Sequence, residues 1–289
     1  MSDTCMVAEA QGRVSGMHER LGFLGIAIWV AVATLAAGEE VLVVEQEYRE
    51  VAPTRSEGRD TRQILYFTAE AVRIEEYAQG PDEPTEVQWV NFKTERIERL
   101  WRNHGAWTLT AESFERRRER LQARVRKQTE DSAELPDGVQ RAEAERLLSF
   151  RVDARRSYEA IHDKTMTKPI LNAHTERVTV VDRKEDACKP LEGYFHPSLR
   201  LPCATGELLY LLDVIPEKLS HFLVRERETF DRVPGELKLR TSHGGWVETR
   251  LQRAERVSEQ SVPGDLFDAG AELKRIQEKP AKPQPASAP

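Results

Sequence analysis

From Val41 to Thr110 the apolar residues tend to recur at every second position. In "VVEQEYREV", Val44, Gln46 and Tyr48 fall on one side and Glu45, Glu47 and Arg49 on the other. Val72 and Ile74 share a face in "AVRIEEY", and Val87 and Trp89 share one in "VQWVNF". "RIERLWR" sets Ile97 and Trp101 together, and "AWTLTAE" does the same for Trp107 and Leu109. A period of two, interrupted by the turn stretches "GPDEP" and "RNHG", predicts an antiparallel meander with one dry and one wet face. It also sends Glu75 and Glu76 to opposite faces, so they cannot act as a catalytic pair.

The period then changes. "AESFERRRERLQARVRKQTED" has neither Gly nor Pro, and Phe114, Leu121 and Val125 recur at helical intervals, which predicts a charged helix with a thin apolar stripe. Pro136 and Gly138 break it, and a second helix is expected from about Val139 to Lys164, with Leu147, Phe150, Ala154, Tyr158 and Ile161 along one side. After Pro169 strands are expected at Glu176–Asp182, Glu207–Ile215, Glu236–Ser242 and Gly245–Glu259, the last two joined by the turn "SHGG". Strands, two helices, then strands is the α+β order: an antiparallel sheet covered on one side by a helical hairpin.

Ahead of the meander, Leu21 to Ala37 carries no charge and follows Arg13, His18 and Arg20. It is shorter than the roughly 20 apolar residues that span a bilayer, and Gly22, Gly25 and Thr34 interrupt it. Ala36 and Gly38 offer the small side chains of a cleavage site, so residues 1–38 read as a cleaved secretory signal. The expected location is periplasmic or secreted; a retained anchor over residues 21–37, tethering the protein to a membrane, is the alternative. Glu39 stands where an acylated lipoprotein would need Cys. Residues 39–276 then make the folded domain, and the Pro- and Ala-rich residues 277–289 are expected to be a disordered tail.

Composition narrows the chemistry. The net charge is -6 over 289 residues, and mild acidity of this kind argues against general nucleic-acid binding. Cys188 and Cys203, the pair left in an exported chain, read first as a disulfide; a metal site including His196 is the alternative, without standard spacing or a fourth ligand. The histidines are scattered, and no G-x-S-x-G, P-loop, G-x-G-x-x-G or H-E-x-x-H occurs, so the sequence implies no enzyme, cofactor or metal. Arg116, Arg117, Arg120 and Arg124 in "ERRRERLQARVRK" offer a basic surface to anionic headgroups or an acidic partner. The plainer reading is a solvated helix whose Glu115 and Glu119 pair with neighbouring arginines.

The run "ILYFTAEAVRIEEYAQG...VQWVNFKTERIERLWRNHGAWTLTAESFE" resembles the first half of exported bacterial domains with the fold of LolA, the periplasmic lipoprotein carrier, with Arg73, Trp89, Trp107 and Phe114 at the corresponding places. "GELKLRTSHGGWVETRLQRAERVSEQSVPGDLF" is similar to their closing strands, with Val262, Pro263, Leu266 and Phe267 in the final segment. "DAGAEL" after Phe267 departs from that pattern, and the stretch from Cys188 to Cys203 is longer than expected. The resemblance implies a curved, incomplete antiparallel barrel closed on its concave side by helices. It further implies an apolar interior, with Val72, Ile74, Trp89, Trp101 and Trp107 as its candidate lining, that accepts a lipid or lipoprotein acyl chain. The alternative is an envelope protein-interaction or sensory domain with a filled core, because aromatics alternating along strands ordinarily pack a sheet against helices. Nothing in the sequence sets an oligomeric state.

Overall fold

A computed structural model describes residues 40–51, 58–78, 83–103, 106–152, 156–183 and 189–278. The expected signal or anchor, Cys188, and the tail from residue 279 lie outside them. Among the described residues no helix is long and apolar enough to cross a membrane.

The five period-two stretches form β1 (Glu40–Val51), β3 (Ala71–Tyr77), β4 (Glu86–Asn91), β5 (Arg96–Asn103) and β6 (Ala106–Ser113) of the expected meander, which a further strand, β2 (Arg59–Phe67), completes. Two helices follow, α1 (Phe114–Glu134) and α2 (Val139–Val152). Then come β7 (Tyr158–Ile170), β8 (Ala173–Asp182) and β9 (Leu191–Arg200), and three short helices, α3 (Thr205–Leu211), α4 (Glu217–Arg225) and α5 (Arg227–Phe230). The chain closes with β10 (Arg232–Arg240), β11 (Trp246–Ser258) and α6 (Ala269–Glu278). Among the described residues eleven strands share one antiparallel sheet in the order β6-β5-β4-β3-β2-β1-β11-β10-β9-β8-β7. The two meanders meet where β1 pairs with β11, and β6 and β7 end the order unpaired with each other, so the curved sheet stays open.

Three sequence expectations need correction. The second helix stops at Val152, and Tyr158 and Ile161 belong to β7, where Tyr158 pairs with Asp182 of β8. Leu171 and Asn172 (φ 47° and 63°) make the tight turn between these strands, a conformation that suits a two-residue hairpin loop. The run Glu207–Ile215 is not a strand: Leu208 and Leu211 pack as one side of α3. A short, wholly apolar run carries no period that separates a buried strand from a buried helix, so its surroundings decided. Finally, α6 was not foreseen, and it runs two residues into the segment assigned to the tail.

The helices α1 to α5 cover one face of the sheet, called here the inner face. Tyr158, Val178, Val180, Leu191 and Leu239 pack there with Leu121, Phe150, Leu219, Phe222 and Phe230. At the β1–β5 end, Leu42, Val44, Phe67, Val72, Val90 and Ile97 pack with Phe114, Leu208 and Leu211. Cys203 belongs to this second cluster as a free thiol, 8% exposed, and burial pushes its pKa up to about 12. The disulfide expected at Cys203 is therefore not formed there; its sulfur fills core volume as a small apolar group.

The outer face is covered only in part. Asp268 Oδ1 accepts from the backbone N–H of Gly270 and Ala271, starting α6, which lays Ala269, Leu273 and Ile276 against Val87, Trp89 and Leu100. Beneath it Arg73, 2% exposed, binds Glu75 and Glu272 and donates to the Leu266 carbonyl at 2.8 Å. Over the central strands the outer face is bare, and the register sets opposite charges side by side: Asp60, Arg49, Glu248, Lys238 and Glu192 across one row, Arg62, Glu47, Arg250 and Glu236 across the next. Opposite charges directly across strands stabilise a water-facing sheet surface and hold its register.

Candidate functional site

The inner face divides along its strands. Where β1 to β5 carry Leu42, Val44, Phe67, Val72, Val90 and Ile97, they are packed beneath helices. Farther along, the inward positions are Tyr48, Thr61, Glu76, Glu86, Gln88, Arg99 and Trp101, and these line an open space instead of an apolar helix contact. Ser113 caps α1 by accepting from the Arg116 N–H at 3.2 Å, and the helix runs on above this polar half. Between them lies a cleft of about 1350 Å³, walled at one end by Leu212, Asp213, Val214, Thr241 and His243.

Its floor is a mixture of charges and aromatics. Arg99 holds both oxygens of Glu86 at 2.6 Å, and its guanidinium lies 5.2 Å from the centre of the Trp101 ring. Glu76 stands directly across from Glu86 and meets Arg59 at 3.2 Å. Burial, then Glu86 and Glu50, push the Glu76 carboxyl above its ordinary range, while Arg59 and Gln63 act the other way. Burial, with Glu50 and Glu76, also raises the Tyr48 phenol.

The roof is basic. Arg117 donates to the Leu211 carbonyl at 2.8 Å, and Arg117 and Arg120 both reach Glu112, at 3.2 and 2.6 Å. Arg124 bonds Asp213, on which Arg151 at 3.9 Å and His243 at 3.4 Å also converge. Burial alone would raise the Asp213 carboxyl; the His243 hydrogen bond and charge, with Arg124 and Arg151, outweigh it and hold it below the usual carboxylate range. At this end four guanidiniums thus share two carboxylates. The expected pairing within the helix is replaced by pairs to the body, as Arg118 to Glu207 at 2.7 Å also shows.

Of the expected cavity residues, the structure brings only some together. Val72 is fully buried in the core and Ile74 is packed against it. Trp89 lies across from Arg73, so it faces the outer side, where Trp107 joins it beneath α6; its Nε1 donates to the Leu266 carbonyl at 3.1 Å. Trp101 alone of the five lines the cleft. Of the four expected surface arginines, Arg116, Arg117, Arg120 and Arg124 all line the cleft roof. His196 is buried away from it, and among the described residues no group of three or more His, Cys, Asp or Glu is placed to hold a metal. The polar floor residues Tyr48, Glu76, Glu86 and Arg99 were missed; only Glu76 shares a strand with Val72 and Ile74 and so had a parity readable from them. A second cleft, about 1120 Å³, crosses the bare outer face over the paired charge rows.

The class these features define is an open antiparallel sheet with a helical layer on one face and a polar cleft between them. No protein-family model matches the chain, and no curated protein does. Among solved structures, it is similar to PNGF-II with TM-score 0.32 and 10% identity, covering 82% of this chain and 32% of that one. It is similar to a putative outer membrane lipoprotein-sorting protein domain from Vibrio parahaemolyticus with TM-score 0.32 and 8% identity, covering 81% and 92%. A DUF1329 family protein from Desulfovibrio piger gives TM-score 0.23 and 5% identity over 84% and 95%. The chain thus spans about a third of PNGF-II. The second name is that of the lipoprotein-sorting class the sequence resembles, but at TM-scores this low none of the three carries an argument about what this chain does.

Proposed function

We propose that the protein is an exported, non-catalytic binding module whose cleft receives an amphiphilic ligand of the lipid or lipoprotein class. One observation carries this reading: an open space of about 1350 Å³ lies between sheet and helices and is lined by Trp101, paired carboxylates and a row of arginines. A ligand with a charged headgroup suits that lining, whereas a purely apolar one would strand buried charges against hydrocarbon. The apolar half of the inner face is occupied by helices α3 to α5, which supports a second reading, a filled-core domain that recognises another envelope protein.

Native mass spectrometry with lipid extraction separates them. The full-length chain is produced in a Gram-negative host, and the matured protein is expected to begin near Gly38 and carry a dissociable lipid-sized adduct that Trp101→Ala weakens. A matured protein without any adduct sinks the ligand reading and favours the filled-core one. An unprocessed mass found only in membranes overturns export by a cleaved signal.

A further inference from the structure

On the far side of the Asp213 node lies a separate pocket of about 300 Å³ between α1, α2 and the turn before β11. It is lined by Leu135, Ala144, Leu147 and Leu148, by Ser132 and Ser242, each 5% exposed, and by Gln128 and Asp131. Gly244 shapes it: with φ 84° the turn comes so close to α2 that a Cβ there would lie 2.2 Å from Leu147 Cδ2. His243, about half exposed, lines both this pocket and the large cleft. Arg151 lines the pocket and reaches Asp213, which lines the cleft. An apolar recess and a charged chamber therefore meet at one group of side chains.

We infer that this pocket takes the apolar end of a single-chain anionic amphiphile whose head lies at the Arg124–Asp213–His243 junction. The inference rests on the cleft reading above and specifies its ligand. Two quantities carry it. At about 30 Å³ for a water-sized group, a space of this size holds ~10 such groups, enough for one short chain and too little for two or three. Along α1 and around the junction six guanidiniums (Arg116, Arg117, Arg120, Arg124, Arg126, Arg151) line the two spaces against four carboxylates (Glu112, Glu119, Asp131, Asp213), an excess of positive charge that draws a negative head there and repels a positive one. The other end of the cleft, with Glu50, Glu76 and Glu86 against Arg59 and Arg99, has no such excess.

The test uses the matured full-length protein, stripped of lipid and titrated with sodium decanoate, decyltrimethylammonium bromide and two-chain phosphatidylglycerol vesicles. Decanoate is expected to bind one to one and at least about tenfold more tightly than the cation of equal chain length, with no comparable uptake of phosphatidylglycerol. Ala144→Phe fills the pocket and should weaken decanoate binding about tenfold or more with an unchanged circular dichroism spectrum. Leu148→Ala enlarges it and should move the preferred chain length upward toward dodecanoate, a shift that misfolding cannot imitate. Equal binding of the cation, or decanoate binding indifferent to both variants, overturns the pocket assignment. If the ligand extracted from the native protein is lost in Trp101→Ala but kept in Ala144→Phe, the cleft reading stands and the pocket fails. If no amphiphile binds any form, both fail.

Discussion

His196 sits on β9 at 6% exposure, and its Nδ1 accepts backbone N–H groups from Leu199 at 3.1 Å and Ser198 at 3.3 Å. Both partners are donors, so Nδ1 must keep its lone pair and the ring must be neutral. Burial pushes its pKa below the ordinary value in agreement with that geometry. The unfolded chain takes up a proton near pH 6.5 that the native state refuses, so stability is full above that pH and falls as the pH drops toward the folded value. The slope should reach at most about 1.4 kcal/mol per pH unit. Urea midpoints at pH 7.5 and 5.5 check this: His196→Gln should show a smaller acid loss than the parent, and an equal loss would disprove the assignment. The tryptophans show what was legible at this scale. Each pairing along a strand, such as Val87 with Trp89 or Ile97 with Trp101, was readable from parity alone. Which strand faces coincide was not, because the register that sets Trp89 against Arg73 depends on how β3 and β4 align across the connection 78–85, and a one-residue slip exchanges the faces.

At the scale of elements, regular alternation and long helical stripes were readable, and short apolar runs were not. Five of the six strands of the first meander and α1 formed where the pattern placed them, while β2 (Arg59–Phe67) fills a stretch for which no alternation was read. The α6 helix had a signal that went unread: Asp268 as its cap, then Ala269, Leu273 and Ile276 at helical spacing. The bare outer face gives an element-level prediction. Lys238 and Glu248 lie directly across β10 and β11 with their charges 2.9 Å apart, both partly exposed. Lys238→Glu alone sets three like charges in one row, with Glu248 and Glu192, and should cost about 0.2–1 kcal/mol in chemical denaturation. Adding Glu248→Lys restores alternation with Lys238→Glu on the β11 side while placing a cation beside Arg49, so recovery should be partial; full additivity of the two losses would show that the rows contribute nothing.

For the whole molecule, the C-terminal segment is the piece that makes the outer face compatible with water. Leu266 receives hydrogen bonds from Arg73 and Trp89, Glu272 pairs with Arg73, and α6 hides Val87, Trp89 and Leu100. Truncation after Ser261 should therefore expose an apolar patch, shift tryptophan emission to longer wavelength and cause concentration-dependent association. A truncated chain that stays monomeric with unchanged emission would show that the segment is dispensable. The sequence by itself determined the α+β class, the first meander, the first helix and the arginine row, because strand and helix periods are local properties of consecutive residues. Only the tertiary structure decided that the arginines line a cleft over a polar floor, that Trp89 and Trp107 serve the outer face, and that Cys203 remains a thiol in the core. Those outcomes follow from register, curvature and the docking of segments far apart in the chain, and none of these is encoded in the spacing of neighbours.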